Sequence, residues 1–411
     1  MSVGSGEFAR GWPVLTAAFL GVAIGVSSLY FYSLGVFIKP MAAEFGWTRG
    51  QASLGALVGT AAAAAAAIPI GRLVDRFGGK RVGLISLALL ALGFFALGTA
   101  TAGLASFLLL TFIVSLVTAG SSPIAFTRLV VTAFLRFRGI ALGLVLAGTG
   151  TGAILIPALL TPYVAEHGWR SGFMALALVV AALTPIVALL FTRCADEVRT
   201  APADEMTLAE LARTPAFRLL AATFFLAAVA VLGTVVQFVP MLSDWGFSPA
   251  GAGGVASLIG VAAIVGRLAA GLLIDRYPAA IVTVALLLCA AAGLLMLGLG
   301  GVTFAAPGAI VTGLAIGAEV DLIAFLVARH FPPLAYGKAY GAIYMAFLIG
   351  GAAGPALSGY LRDRTGDYQA SLVIAAILLA CAAAVASRLR RVPAWSEGEG
   401  GGSERRGEAA S

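Results

Sequence analysis

A single arginine inside a long apolar stretch is the residue of this sequence best suited to bind an anion. Arg267 lies within 259–273, where every other residue is apolar or glycine. A charge inside a membrane-spanning helix costs at least about 2.5–3.5 kcal/mol, so such residues usually have a partner, a cavity or a function. A guanidinium stays protonated and binds a carboxylate through paired hydrogen bonds. We expect Arg267 to anchor a carboxylate; the alternative is that its side chain extends to headgroups about two turns away.

Two carboxylates interrupt another apolar stretch. Glu319 and Asp321 are two residues apart, so on a helix they point about 200° from each other and at most one faces a central cavity. A buried carboxylate can carry a proton across a membrane. A second interpretation is a gate or structural pair with Arg128 of an earlier apolar stretch, because an internal repeat with an offset of 198 residues matches Arg128 to Leu326, about one to two turns from the two acids. A third assigns the two acids neither role.

Aromatic and hydroxyl-bearing side chains in the apolar stretches are further candidates to line a cavity. They are Tyr30, Tyr32, Ser33, Phe126 and Tyr344. A tyrosine offers its hydroxyl to a carboxylate and its ring to an alkyl or aryl tail. Ordinary helix packing is the alternative for each of the five.

The sequence contains none of the motifs that hold a nucleotide, a cofactor or a metal ion. No Gly-x-x-x-x-Gly-Lys-Ser/Thr loop is present, so ATP is not the direct energy source. Gly148-x-Gly150-x-Gly152 lies inside an apolar run with no preceding strand, so we interpret it as a helix-packing motif. The three cysteines lie in or at the ends of apolar runs, and two histidines are too few for a His-rich metal centre. We therefore predict no enzyme, no cofactor and no metal site.

The elements that must position these residues are membrane-spanning helices. The 411 residues are 60% hydrophobic and 11% charged, with a mean hydropathy of +1.01, whereas a soluble domain has roughly 25% charged residues. A membrane span takes about 20 apolar residues. Twelve apolar runs occur, at about 13–38, 50–70, 82–101, 103–130, 139–162, 170–192, 217–241, 250–272, 280–300, 303–327, 339–360 and 369–389. The sequence therefore predicts an all-α polytopic membrane protein surrounded by a lipid bilayer.

Basic residues predict the orientation of these helices. If both termini are cytoplasmic, the cytoplasmic segments hold 19 Lys and Arg residues, with Arg128 and Arg267 discounted, against five on the other side. This asymmetry is what the positive-inside rule describes. The net charge of +7 is explained in this way, and no nucleic-acid partner is predicted. The Ala- and Gly-rich composition favours a prokaryotic plasma (cell inner) membrane.

The polar segments divide the chain into four parts. We predict an N-terminal six-helix bundle over 1–192 and a C-terminal six-helix bundle over 217–391. The cytoplasmic linker over 193–216 carries many charges and a short amphipathic helix, Met206–Leu211. The tail over 392–411 is rich in Gly, Ser and Glu, which is typical of disordered cytoplasmic extensions.

An internal repeat relates the two bundles. Three positions of the segment 71–76 recur 200 residues later in 271–276: Gly71, Asp75 and Arg76 in the first copy, and Gly271, Asp275 and Arg276 in the second. Segments 139–143 and 337–341 form another pair, 198 residues apart. We expect each loop to be a conformational motif whose aspartate caps or pairs with a neighbouring helix end. Two parallel six-helix halves are a transporter plan with the substrate between them near the midplane.

These motifs resemble those of the major facilitator superfamily. The segment 71–81 is similar to the superfamily's loop between helices two and three, and 271–276 is similar to its degenerate repeat. The Gly- and Pro-containing stretch 143–157 resembles the helix-five motif. The resemblance covers both halves. It implies the major facilitator fold, with twelve transmembrane helices in two pseudo-symmetric six-helix bundles, and secondary transport by alternating access.

A narrower resemblance concerns the segment 30–49, which is similar to the first helix and loop of the monocarboxylate transporter and oxalate/formate antiporter group. That group has a carboxylate-binding arginine on helix eight, four residues before the loop glycine, and Arg267 stands four before Gly271 here. The oxalate/formate antiporter also has a lysine on helix eleven, and no charge stands in that region here, which favours a monoanion. The proton-coupled mammalian type has a lysine on helix one and an aspartate on helix eight. The corresponding positions here are Tyr32 and Ala263, so the resemblance does not imply that proton relay for this chain.

We therefore expect a secondary active transporter that moves a small organic monoanion, a monocarboxylate, with proton coupling through Glu319 or Asp321 as a hypothesis. Two alternatives stay open: an efflux transporter of amphipathic compounds on the same fold, and a transporter-like membrane receptor. The sequence does not specify the substrate, the direction of transport, symport, antiport or uniport, the coupling ion or the oligomeric state.

Overall fold

Twelve membrane helices follow one another in the described part of the chain, as predicted. The computed structural model describes residues 3–47, 49–193 and 206–395, and all regular secondary structure in these ranges is helical. The helix bounds, in order, are Val3–Ala23 with Phe31–Phe45 (helix 1), Arg49–Phe77 (helix 2), Gly79–Ala100 (helix 3), Leu104–Thr118 with Pro123–Ala133 (helix 4), Arg138–Leu155 with the start of Thr161–Thr192 (helix 5), the rest of Thr161–Thr192 (helix 6), Pro215–Asp244 (helix 7), Pro249–Arg276 (helix 8), Ala279–Gly300 (helix 9), Ala305–Ile316 with Glu319–His330 (helix 10), Tyr336–Thr365 (helix 11) and Gln369–Ser387 (helix 12). Gly168, with φ 81°, separates helices 5 and 6.

Ten segments of the described chain are long and apolar enough to cross a membrane. One of them, Ala279–His330, contains both helix 9 and helix 10, and helix 5 is not among the ten. These two facts account for the difference between ten segments and twelve helices. An even number of spans brings the two ends of the helical bundle to one side, which we call the termini face; the other side is the opposite face.

Each half of the bundle packs around its own interior. In the N-terminal half, helices 1–6, helix 3 packs on helix 6 and helix 1 on helix 5; in the C-terminal half, helices 7–12, helix 7 packs on helices 11 and 12 and helix 9 on helices 10 and 12. Large side chains such as Phe94 and Phe173 are fully buried, whereas Leu92 and Leu178 are 65% and 70% exposed. Apolar side chains on the outside are expected where lipid replaces water as solvent.

The two halves meet along two helix pairs. Helix 2 packs on helix 11, and helix 5 packs on helix 8. We call these contacts the 2–11 seam and the 5–8 seam. They are related by the internal repeat, since helices 2 and 5 correspond to helices 8 and 11.

Helices 1, 4 and 10 are interrupted inside the bundle. Helix 1 breaks at Gly25 and continues through the π-helical turn Val26–Tyr30, and helix 4 breaks at the turn Ala119–Ser121. The first two breaks meet, because the Val26 amide donates to Ser121 Oγ over 3.1 Å. An interrupted helix leaves backbone groups without partners, and in a membrane these must be paired inside the protein.

The linker and tail are only partly within the described residues. Positions 194–205 of the linker and 396–411 of the tail lie outside them. The predicted short helix is present but spans Leu208–Arg213, two residues later than expected. Thr207 causes the shift, because its hydroxyl accepts from the Glu210 amide over 3.2 Å and its own amide donates to Glu210 Oε2 over 2.6 Å, a capping box that sets the first turn.

Candidate functional site

Arg267 of helix 8 is the centre of a polar cluster that joins both halves. Its Nη1 donates to the Leu146 carbonyl and, over 2.9 Å, to Thr149 Oγ1, both on helix 5. Its Nε donates to the Gly317 carbonyl over 2.8 Å and lies 3.4 Å from Asp321 Oδ2. Nη2 has no acceptor among the described residues and is not fully buried, and 14% of the side chain is exposed. The guanidinium is held through Nε and Nη1 and presents Nη2 as its remaining donor.

The side chain of Arg267 does not extend to the headgroups of the termini face. The Arg267 backbone lies opposite Gly143 of helix 5, whereas its guanidinium bonds to Leu146 and Thr149. Helix 5 starts at the termini face with Arg138, so residues 146 and 149 lie deeper in the bundle than residue 143. The side chain therefore points into the protein.

The break in helix 10 provides the acceptors on the C-terminal side of Arg267. A Cβ at Gly317 would lie 1.9 Å from the Ala263 carbonyl oxygen, so only glycine allows helices 10 and 8 to approach this closely. Asp321, in the first turn after the break, is 3% exposed. Both of its carboxylate oxygens are fully buried, and neither has a hydrogen-bond partner within the described parts of the chain. Its ion pair with Arg267 is therefore the interaction that compensates its charge.

Glu319 has a different environment from Asp321. It is 6% exposed and makes no hydrogen bond or ion pair with any residue in the described parts of the chain. The two-residue spacing had predicted that the two acids would diverge, and only Asp321 reaches Arg267.

Four aromatic residues form a ladder along helix 11. The rings of Tyr336, Tyr340, Tyr344 and Phe347 follow one another with centroid distances of 5.8, 5.7 and 5.8 Å. They are spaced by four, four and three residues, which places them on one face of a helix.

This ladder reaches across to the N-terminal half. The Tyr336 hydroxyl donates to Thr127 Oγ1 of helix 4 over 3.1 Å, and Tyr344 lies beside Ser27 of helix 1. Between them, the Tyr340 hydroxyl is fully buried and has no hydrogen-bond partner among the described residues. The ladder therefore presents one unpaired hydroxyl at the boundary between the halves.

Tyr340 was not among the residues singled out from the sequence. It lies near the Arg267 and Asp321 charges, so its unpaired hydroxyl belongs to the same cluster. The spacing of Tyr336, Tyr340 and Tyr344 in the sequence would have indicated it, because a tyrosine every fourth residue forms a single stripe on a helix.

Tyr32 and Tyr344 are the two predicted aromatic residues that the structure brings to this cluster. Tyr32 is close enough to Arg267 for electrostatic interaction, and Tyr344 stacks next to Tyr340. Both side chains are partly exposed.

The structure places three other predicted cavity residues inside the N-terminal half. Tyr30 is 4% exposed and points to Gly59 of helix 2, and the Ser33 hydroxyl donates to the Tyr30 carbonyl over 3.0 Å. Phe126 is fully buried, and its ring fills the space left by Gly21 and Gly83. These side chains pack between helices, which was the alternative for each.

Arg128 does not pair with Glu319 or Asp321, in contrast to the pairing inferred from the repeat offset. Its Nη1 lies 2.8 Å from Asp75 Oδ1 and donates to the Val74 carbonyl over 2.7 Å. Asp75 lies at the end of helix 2 in the same half, so Arg128 finds a carboxylate without crossing the interface.

The two repeated aspartates close the termini face. Asp75 accepts from the amides of Gly337 and Lys338 at the start of helix 11, each over 2.7 Å. Asp275 accepts from the amides of Gly139 and Ile140 at the start of helix 5, over 2.7 and 3.0 Å. Each carboxylate thus caps a helix of the other half, where unpaired amides and the helix dipole favour negative charge.

Glycines allow the helices of both seams to approach closely at the termini face, near the two aspartates. A Cβ at Gly71 would lie 2.1 Å from the Gly337 carbonyl oxygen, and one at Gly139 would lie 2.5 Å from the Gly271 carbonyl oxygen. No side chain fits at these distances, so the backbones are in direct contact.

Ion pairs near the opposite face join helices of the same half. Arg170 bonds Glu44 over 2.6 Å in the N-terminal half, and Arg362 bonds Asp244 over 2.9 Å in the C-terminal half. Hydrogen bonds from Arg170 and Trp169 hold the pKa of Glu44 below its usual value. Among the described residues, the ion pairs at this face therefore do not hold the halves together.

Comparison with known proteins identifies relatives of the chain. The model of the Major Facilitator Superfamily matches residues 20–318 and 219–408. Monocarboxylate transporter 13 of Bos taurus is 30% identical over 252 residues, which are 60% of this chain and 58% of that protein. Monocarboxylate transporter 11 of Mus musculus is 30% identical over 263 residues, 59% of this chain and 57% of that protein. The chain thus matches less than two thirds of the length of these relatives.

Solved structures share the fold. A crystal structure of the transporter FucP in the outward conformation superposes with a TM-score of 0.76 at 18% identity, covering 93% of this chain and 99% of FucP. The human organic anion transporter TETRAN superposes with a TM-score of 0.74 at 17% identity, covering 92% of this chain and 99% of that chain. At these identities the likeness concerns the fold alone.

Proposed function

Because the chain belongs to the Major Facilitator Superfamily, we propose that it moves a small organic monoanion, a monocarboxylate, across the membrane by alternating access. The observation that carries this proposal is the Nη2 donor of Arg267, which has no acceptor among the described residues and lies between the two halves. The other donors of the guanidinium are used by the protein. A group already oriented in this way binds a carboxylate oxygen with little further loss of freedom.

The internal repeat supports a functional origin for this charge. Arg267 corresponds to Ala67 on the 2–11 seam, 200 residues earlier. The Ala67 carbonyl would lie 2.2 Å from a Cβ at Gly341, just as the Arg267 carbonyl faces Gly143. Corresponding glycines thus face corresponding carbonyls on the two seams, with a wider approach of 3.3 Å at Gly143, so seam packing does not require an arginine.

The composition of the cluster favours a monoanion with an organic body. Arg267 is one cation, and its ion pair with Asp321 already offsets part of its charge. A second carboxylate on the substrate would have no cation of its own here. The rings of Tyr32 and Tyr344 offer an apolar surface and a polar tip to the remainder of the substrate.

We assign the coupling proton to Asp321. A substrate carboxylate at Arg267 brings a second negative charge close to the buried Asp321, and protonation of Asp321 removes the resulting repulsion. Substrate and proton then bind together, which is the requirement for symport. Glu319 is also a buried carboxylate of helix 10 but is not paired with Arg267, so its replacement is the control for replacement of Asp321.

The termini face is the cytoplasmic one in this proposal, and the membrane is the plasma membrane. The Lys and Arg asymmetry supports this orientation. The seams then close the cytoplasmic side, and the site is loaded from outside in this conformation.

Counterflow in proteoliposomes tests the substrate class. We expect exchange of radiolabelled lactate, pyruvate or benzoate, competition by the unlabelled monocarboxylates, and no competition by oxalate or by the neutral amide lactamide. Counterflow makes no assumption about the coupling ion. Exchange of neutral amphipathic compounds instead would favour the efflux transporter, and binding without exchange would favour the receptor.

Replacement of Asp321 by asparagine is expected to remove the dependence of net uptake on an inward proton gradient, because an amide cannot take up the proton. Exchange is expected to continue, since it needs no net proton movement. Uptake with and without an uncoupler measures the dependence, and Glu319→Gln is the control that should retain it. Retention of full gradient dependence in D321N would contradict the assignment, and its loss only in E319Q would move the proton to Glu319.

A further inference from the structure

Thr149 stands out because its hydroxyl accepts from the proposed substrate anchor across the interface. Arg267 Nη1 lies 2.9 Å from Thr149 Oγ1 and also bonds the Leu146 carbonyl. The Thr149 hydroxyl itself donates to the Leu146 carbonyl over 2.8 Å. Its proton is thereby committed to helix 5, and its lone pair is directed to the guanidinium.

These bonds join the two halves in a structure whose termini face is closed. Helix 5 belongs to the N-terminal half and helix 8 to the C-terminal half. The Asp275 cap and the contact between Gly139 and Gly271 hold the two helices together about two turns away. When the halves separate at this face, Nη1 must leave both acceptors on helix 5.

We propose that Thr149 is a positioning residue that seats Arg267 in the closed state, so that one guanidinium is both the substrate anchor and a latch between the halves. These two acceptors on helix 5 fix the direction of Nη2 for substrate that arrives from the opposite face. Opening of the termini face breaks the bonds from Nη1 to Thr149 and Leu146. The guanidinium is then no longer held in place, which lowers its affinity for the substrate carboxylate on the side where the substrate is released. The latch is inferred from these contacts alone, whereas its effect on substrate binding rests on the proposed function.

The internal repeat indicates that helix packing at a seam does not by itself require this hydrogen bond. The position that corresponds to Thr149 on the 2–11 seam is Phe347, 198 residues later, and the position that corresponds to Arg267 is Ala67. The hydroxyl and guanidinium pair is thus present on one seam and replaced by apolar side chains on the other.

The test compares isosteric variants of two neighbouring threonines. Thr149→Val keeps the branched shape but removes the acceptor, and Thr149→Ser keeps the acceptor. Thr151→Val is the matched control, because the Thr151 hydroxyl donates to the Gly148 carbonyl of its own helix, over 2.6 Å, and to no other described residue. Spin labels at Phe77→Cys and Tyr277→Cys, two exposed positions at the ends of helices 2 and 8, report separation of the termini face. The native cysteines Cys194, Cys289 and Cys381 are replaced by serine in this background.

Without substrate, T149V is expected to raise the ratio of open to closed termini face about tenfold, as loss of a hydrogen bond to a charged group predicts. T149S and T151V are expected to keep the original distance distribution. In exchange assays, T149V is expected to raise the KM for substrate on the opposite face while kcat does not fall, and T149S to restore it.

Two results would overturn the latch: an unchanged distance distribution in T149V, or the same shift in T151V. Failure of the substrate proposal has a different appearance, since the distance shift would remain while no monocarboxylate exchanged. A T149V protein that is merely misfolded would lose kcat and thermal stability together, and that result also contradicts the proposal when T149S does not restore them.

Discussion

Replacement of Arg267 by alanine is expected to abolish counterflow of the transported monocarboxylate, with a loss of substrate affinity of about thirtyfold or more. Removal of one partner of a desolvated charge pair costs about 2–5 kcal/mol or more, and each 1.4 kcal/mol is a factor of ten. Equilibrium binding and counterflow in proteoliposomes measure the two quantities.

The controls separate a lost anchor from a misfolded protein. Arg267→Ala leaves the buried Asp321 without its cation, and this is destabilising in itself. The double variant R267A/D321N removes both charges, so we expect it to regain thermal stability but not exchange. Arg267→Lys keeps the charge without the planar donor geometry, and an intermediate affinity is expected. Exchange at the unmutated rate in R267A/D321N would mean that Arg267 is a structural charge.

Replacement of Gly71 by alanine is expected to open the termini face, raising the open-to-closed ratio about fivefold or more. The new methyl group would lie 2.1 Å from the Gly337 carbonyl oxygen, where ordinary contact is 3.4–4 Å. Both atoms are on rigid helices, so the 2–11 seam must separate, and overpacking of this kind costs about 1–3 kcal/mol. The spin-label distance between positions 77 and 277 measures the separation.

Gly254→Ala on helix 8 is the matched control for this prediction. Nothing lies within 4 Å of a Cβ at Gly254, so the same chemical change there is expected to leave the distance distribution as it is. An unchanged distribution in G71A, or equal shifts in both variants, would show that the seam does not depend on direct backbone contact.

The sequence was sufficient for the architecture because membrane helices are determined locally. A helix that crosses a bilayer must pair its backbone groups within itself and present apolar side chains to lipid, so each span is recognisable from its own residues. The repeat of Gly71 and Asp75 at Gly271 and Asp275 can likewise be detected from the sequence alone, because both pairs have the same offset of 200 residues. These features predicted twelve helices, and the described chain has them.

The candidate site was predicted only in part, since its contacts are between helices far apart in the sequence. Arg267 was conspicuous because a charge in an apolar run is rare, whereas Thr149 and Tyr340 are ordinary residues of membrane helices. Phe126 was expected near a cavity, but Gly21 and Gly83 leave space for its ring inside the N-terminal half. The sequence does not state which glycine faces which ring.

The pairing of charges shows most clearly what could not be predicted from the sequence alone. The repeat offset placed Arg128 within reach of Glu319 and Asp321, but Asp75 lies 2.8 Å from Arg128 in its own half, and Arg267 lies 3.4 Å from Asp321. Hydropathy, charge asymmetry and internal repetition are properties of single segments, so the sequence by itself determined the membrane helices and their two-fold organisation. An ion pair depends on a distance of a few ångströms between segments, so only the tertiary structure decided which carboxylate each arginine meets.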